Sequence, residues 1–155
     1  MSSKTKALTE TLAGVPHIEA IIVEKSAPID AVISLMRQKD VSCVMTCENK
    51  KPNGIFTERD FLMKVVSDSN ALKRPIFDFM TPNPHWMRLS QSVGDAVELM
   101  NQSSLRHLPI LDEKGTLAFV VTVDGLIRYL ADHFPAAVMN RPPELHKIAS
   151  EMDGA

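Results

Sequence analysis

Two kinds of hydrophobic spacing alternate along this chain. Short β-branched runs read as buried strands, and stretches with an apolar residue every three or four positions read as helices. The first run, residues 18–23 (Ile-Glu-Ala-Ile-Ile-Val), predicts a strand, and Pro28 opens a helix over residues 29–39 whose Val32, Leu35 and Met36 share one side. Met36 on that side is a core filler. Residues 41–46 predict the next strand, the polar residues 48–54 its hairpin turn, and Ile55-Phe56 the end of the returning strand, before a helix over residues 61–66. Residues 67–70 break that helix, and Arg74-Pro75 opens a connection. Thr81-Pro82-Asn83-Pro84 is too rich in proline for a helix or an inner strand and is expected to run extended across the surface.

The pattern then returns, with a helix over residues 93–102, a strand over 108–111, a hairpin turn at 112–115, a strand over 117–121 and a helix over 126–133. The return is also literal. Residues 29–38 (IDAVISLMRQ) align with 93–102 (VGDAVELMNQ) at an offset of 64 (93 − 29), and Thr57 aligns with Thr122 at an offset of 65 (122 − 57). A unit of this length present twice predicts two packed, pseudo-symmetric halves. Outside them, Ala7, Leu8 and Leu12 predict a short helix within residues 4–13, stopped by Gly14 and needing the body or a second subunit to pack on. Leu145, Ile148, Ala149 and Met152 fall at i, i+3, i+4 and i+7 and predict an amphipathic helix in the tail. Its apolar face needs a cover: its own module, a second subunit or a target protein.

The chemistry concentrates at Thr57-Glu58-Arg59-Asp60, between strand and helix. A Thr with an acid three residues on is close to a capping box, and taken alone it marks a helix start and nothing more. The same geometry also suits a ligand, because free N–H groups and the positive dipole end favour phosphate. An ionised carboxylate there would instead accept from a ribose diol. Phosphate and ribose together describe a nucleotide.

The step Gly54-Ile55-Phe56-Thr57-Glu58-Arg59-Asp60-Phe61, the run Phe77-Asp78-Phe79-Met80-Thr81 and the segment Arg106-His107-Leu108-Pro109-Ile110, in this order, resemble a tandem CBS domain pair, or Bateman module, from about Val15 to Phe134. The resemblance implies an α/β (α+β) fold of two pseudo-symmetric CBS repeats, with small sheets packed against each other and helices outside. The expected division is residues 1–14 as N-terminal helix, 15–74 and 75–134 as the repeats, and 135–155 as tail. The resemblance further implies a regulatory module that senses AMP, ADP, ATP or S-adenosylmethionine in the clefts and signals to a partner by a conformational shift. It carries Thr57 and Asp60 to the ligand, brings Thr81 against them from the other half, and makes Arg106 and His107 candidates for phosphate, although a basic pair also solvates a strand end. Arg106 is the better of the two, since an arginine holds phosphate bidentately and a histidine adds charge only when protonated.

The chain departs from that pattern twice. The proline and apolar residue that usually end the first hairpin strand are Met45 and Thr46, which suggests different access to a bound base. At the second step, Thr122-Val123-Asp124-Gly125, a glycine stands where the acid belongs and Asp124 lies one place early, about 100° round a helix. Asp124 is expected to cap the helix at most; the resemblance keeps Thr122 as a candidate ligand residue of the second site, and that site is expected to be weak, altered or empty.

Composition narrows the remaining classes. At 155 residues with a formal charge of −2 and a pI near 6.2, the chain lacks the basic excess of a general nucleic-acid surface. Lys50 and Lys51 in the hairpin turn are solvating residues first and phosphate contacts second. Cys43 and Cys47 have no zinc spacing and read as reduced thiols, and His85-Trp86 reads as packing or interface rather than metal ligation. No Ser/His/Asp or Cys/His arrangement, Walker-type loop or metal spacing is present, so no catalytic residue, metal or cofactor is assigned. Without an apolar run long enough for a leader or a membrane span, the expectation is a free-standing cytoplasmic protein. Phe61, Leu62, Val65, Leu126, Ile127 and Leu130 predict a homodimer through the two helices that follow the Thr steps. The rival reading is a ligand-free dimerisation or protein-interaction module.

Overall fold

The computed structural model describes residues 3–133; the tail helix expected over residues 145–152 lies outside them. The helices are α1 (Ser3–Thr9), α2 (Ile29–Lys39), α3 (Glu58–Asp60, running on as a π-helical turn over Phe61–Val65), α4 (Val93–Ser103) and α5 (Val123–His133). The strands are β1 (His17–Glu19), β2 (Cys43–Glu48), β3 (Lys51–Thr57), β4 (Thr81–Pro82), β5 (Met87–Arg88), β6 (His107–Leu111) and β7 (Leu117–Thr122). They form two small sheets of order β2-β3-β4 and β1-β7-β6-β5.

The repeat is visible in the irregularities as well as in the elements. α2 and α4 both end on a left-handed residue, Asp40 and Ser104, each at φ 52°. Both hairpins carry a one-residue bulge on the returning strand, Asn53 between the partners of Thr46 and Cys47, and Ala118 between those of Ile110 and Leu111. The first bulge explains why the turn is shorter than expected. Asn49 and Lys50 alone take positive φ, so Glu48 pairs with Lys51, and Pro52-Asn53-Gly54 is strand with a bulge rather than turn. Pro52, which has no N–H to give, sits beside the bulge.

The strand expected over residues 18–23 is two pieces. His17–Glu19 pairs with β7 of the other half, and Ile22 then bridges Met45 of its own half. The second half does the same: Thr81–Pro82 pairs with β3 of the first half, and Met87–Arg88 with β6 of its own. Each lead-in segment therefore threads across the other half before joining its own, which places residue 81 against the first helix start and residue 17 against the second. Of the segment expected to run extended, Thr81–Pro82 serves as an edge strand, and Asn83 turns the chain at φ 50°.

Each half has its own core, around Ile29, Val32, Val44, Phe56 and Ile76 in the first and Val93, Ala96, Leu108, Ile110 and Leu126 in the second. Cys43, Met45 and Ile55 of one sheet meet Leu111, Leu117 and Val120 of the other in a third cluster, which is the sheet-to-sheet layer. The short α1 finds its support in the second half, through Ala7 in that core and the Tyr129 hydroxyl, which donates to Glu10 Oε2 at 2.6 Å. Val65 and Leu126 are buried inside the halves, which corrects their assignment to an outer dimer stripe; Leu62, Met63, Val66 and Ile127 are the exposed apolar residues on those two helices.

Candidate functional site

Phe56 is fully buried, and Thr57, the last residue of β3 and paired with Cys43, stays extended (φ −118°, ψ 167°) while Glu58 turns into the helix. The Thr57 Oγ1 accepts the Asp60 N–H at 3.3 Å, and Asp60 Oδ2 reaches back to accept from Thr57 N at 3.0 Å. This reciprocal cap fixes the carboxylate at the helix start, where it contributes on the order of 1 kcal/mol to the helix. Asp60 is 9% exposed, a low value for a charged residue, and its other oxygen faces the lead-in of the second half. There Thr81 Oγ1 donates to Oδ1 at 3.3 Å. Thr57, Asp60 and Thr81 are thus one constellation, assembled from both halves by the crossing of the lead-in.

One member of this constellation is missing from the sequence reading. Lys64 Nζ lies 2.7 Å from Asp60 Oδ1 and also donates to the Phe79 carbonyl at 3.0 Å and to Thr81 Oγ1 at 3.4 Å. Its i+4 spacing from Asp60 is a visible signal, since the two share one helix face.

His107 approaches from the second half. Its Nε2 is 2.7 Å from Ser42 Oγ, and the Ser42 carbonyl accepts the N–H of Glu58, so His107 stands one residue behind the Thr57 step. Burial lowers its pKa, and the neighbouring Arg106 charge lowers it further, against the opposing pull of Asp60 and Asp124. Arg106 is exposed; its carbonyl accepts from Val123 N, and among the described residues its guanidinium makes no hydrogen bond or ion pair.

At the second helix start, Thr122 Oγ1 accepts the N–H of Gly125 at 3.0 Å, so Thr122 caps α5 and Asp124 lies within the first turn, not at the cap. Gly125 is buried under the lead-in, and a Cβ there would overlap the carbonyl oxygen of Pro16. The hollow left between Pro16, His17, Thr122, Gly125 and Arg128 is about 60 Å³, far below the few hundred Å³ that enclose a small organic ligand. His17, in the place of Thr81, stacks on Phe119 at 3.9 Å. A larger hollow of about 360 Å³ lies between the end of α2 and the start of α3, lined by Arg37, Asp40 and Glu58, and does not include Thr57, Asp60 or Thr81.

The remaining candidates have structural roles. Thr46 is buried and donates to Asn53 Oδ1 at 2.7 Å within the bulge. The Lys50 carbonyl accepts from Leu117, and Lys51 and Arg88 each lie 5.8 Å from the Trp86 ring. Cys43 and Cys47 are free thiols, and burial pushes the Cys43 pKa up to about 12. Among the described residues no cluster has a metal-binding arrangement, and no helix is long and apolar enough to cross a membrane.

The profile of the CBS domain matches residues 12–67 and again 76–132. The chain belongs to the CBS domain family. It is similar to the Arabidopsis thaliana CBS domain-containing protein CBSCBSPB3, with 33% identity over 103 residues, 66% of this chain and 18% of that protein. It spans only 18%, 29% and 22% of three such Arabidopsis relatives. Among solved structures, the CBS domain pair of protein MJ0100, in complex with 5′-methylthioadenosine and S-adenosyl-L-methionine, superimposes with a TM-score of 0.67 at 16% identity, covering 77% of this chain and 98% of that one. CBSX2 in complex with AMP gives 0.57 at 20% identity, covering 84% and 96%. The fold is the mixed α/β tandem CBS pair with two small sheets.

Proposed function

We propose that this CBS pair is a regulatory module that binds an adenine nucleotide at Asp60 and passes the binding on as a shift between its halves. The observation that carries the reading is the buried carboxylate of Asp60, fixed by the first half's helix cap and contacted by Thr81 from the lead-in of the second. A ligand held there would touch both halves, and a ligand that prefers one arrangement of them shifts the population toward it. The adenosine compounds named in the structures of two fold relatives, AMP, 5′-methylthioadenosine and S-adenosyl-L-methionine, support the adenosine class. Arg106, exposed and without a side-chain partner among the described residues, is the cation assigned to phosphate, with His107 largely neutral beside it. Leu62, Met63, Val66 and Ile127 give two helices an apolar outer surface suited to a second copy. The module acts through its ligand and a partner, without catalysis, and works in the cytoplasm.

Thermal unfolding with AMP, ADP, ATP and S-adenosylmethionine is the test. A ligand at a hundred times its Kd raises stability by about 2.7 kcal/mol. Unchanged unfolding with every compound at millimolar concentration would instead favour the ligand-free interaction module. Asp60 gives that rival its one specific support, because its carboxylate is already fully hydrogen-bonded within the chain.

A further inference from the structure

The acceptor count at Asp60 is full. A carboxylate offers about four acceptor positions, two on each oxygen. Oδ2 takes Thr57 N at 3.0 Å and Thr57 Oγ1 at 3.1 Å, both within the cap that holds the helix start. Oδ1 takes Thr81 Oγ1 at 3.3 Å and Lys64 Nζ at 2.7 Å. A ribose diol can therefore reach this carboxylate only by displacing one of those donors. The two on Oδ2 are tied to the backbone, and Thr81 is held in an edge strand. Lys64 is the mobile one: its side chain is 42% exposed, on a flexible four-carbon stem, against 12% for that of Asp60.

We propose that Lys64 is a specificity-determining residue of the Asp60 site, standing where a ligand's hydroxyls must go and selecting phosphorylated adenine nucleotides over uncharged nucleosides. The inference rests on the nucleotide reading above and deepens it. An ammonium has three N–H donors, and Lys64 uses them on Asp60 Oδ1, the Phe79 carbonyl and Thr81 Oγ1. Displacement breaks the short, charge-assisted contact to Asp60, and a neutral diol does not replace the lost charge partner. Adenosine must meet that cost from its own contacts. A nucleotide returns part of it, because the released ammonium stays on its stem within a few ångströms of the ligand and pairs with the phosphate. S-adenosylmethionine, with a sulfonium and an ammonium, does so less well. Phe79 and Thr81 belong to the lead-in of the second half, so the same displacement removes two of the contacts between that segment and α3 and leaves the Thr81–Asp60 bond.

Calorimetric titration of the wild type, Lys64→Met and Lys64→Arg with adenosine and with AMP tests this. Methionine keeps the stem's packing and removes the charge. Lys64→Met should bind adenosine about tenfold more tightly than wild type, the scale of one charge-assisted contact, and AMP no more tightly, so the preference for AMP falls at least about tenfold. Lys64→Arg should retain most of the preference. An unchanged ratio in Lys64→Met, with both ligands still binding, overturns the role of Lys64 and leaves the nucleotide site standing. Binding of neither ligand by any of the three chains overturns both. A thermal midpoint of Lys64→Met within a few degrees of wild type excludes misfolding as the cause.

Discussion

The two helix starts of this CBS pair share a threonine cap and do different things. At Thr57 the acid three residues on closes a capping box and meets the opposite lead-in through Thr81 and Lys64. At Thr122 the same hydroxyl caps the same N–H, but Gly125 lets the backbone of Pro16 settle onto the helix where the acid would be. The position of Lys64 is taken by Tyr129, whose hydroxyl is tied to Glu10 in the N-terminal segment, and both burial and Glu10 push its pKa up, to about 12. The second start has become an anchor for the chain's beginning. The second start differs from the first by more than one carboxylate, because the room that an acid would need is filled by main chain.

The largest expected effect follows from that filling. Gly125→Asp, which places at the second start the acid that the first has at Asp60, should not create a site. It should force the Pro16 carbonyl off α5 and cost about 3 kcal/mol, as overpacking against backbone does, read as a lower denaturant midpoint at unchanged slope. Wild-type stability with a second equivalent of bound nucleotide would show that the second start is an open site lacking only its acid.

Next in size is the contrast between the two acids. Asp60→Ala should weaken adenine-nucleotide binding by about 2 kcal/mol, the scale of a charge-assisted hydrogen bond, while Asp124→Ala costs much less. Calorimetry on both variants ranks them, and the reverse order would move the working site to the second half. Asp60→Ala should also lose about 1 kcal/mol of stability with the cap.

These contrasts also show which parts of the molecule could be read in advance. The elements and the repeat were legible because α2, α4 and the hairpins have strong periodicity, and residues 29–38 and 93–102 share their spelling. Thr57 and Asp60 were legible because a cap is local. The crossing of the lead-ins was not, since whether residues 18–23 pair as one strand or two depends on partners about a hundred residues away. The dimer stripe failed in part for the same reason. Val65 and Leu126 fit an outer stripe by spacing, but the direction a short helix presents is set by tertiary packing. Lys64 carried a readable i+4 signal, and its bonds to Phe79 and Thr81 depend on the crossing.

The smallest expected effect separates the two first hairpin strands. β2 begins at Cys43, opposite Thr57, and β6 at His107, opposite Thr122, so these residues are counterparts. Cys43, with a pKa pushed up to about 12 by burial, stays neutral throughout the ordinary range and adds no pH dependence there. His107 does titrate. Burial and Arg106 hold its folded pKa below the ordinary value of 6.5, so between the two values the unfolded chain binds more protons than the folded one. The stability that His107 contributes is therefore fully present above pH 6.5 and falls as pH drops from there through the lowered folded pKa. The Ser42 hydrogen bond does not decide the sign, because a protonated ring can still donate to that hydroxyl. Asp60 and Asp124 act against the shift, which keeps the effect small. His107→Gln removes the titration, and the other histidines and the carboxylates contribute to both chains alike. The difference in unfolding free energy between wild type and His107→Gln should thus move in favour of the variant as pH falls from 7.5 to 5. A difference that stays constant would mean that the fold leaves the His107 pKa unshifted, and one that moves in favour of wild type would mean that the fold favours the protonated ring, as a second cation next to Arg106.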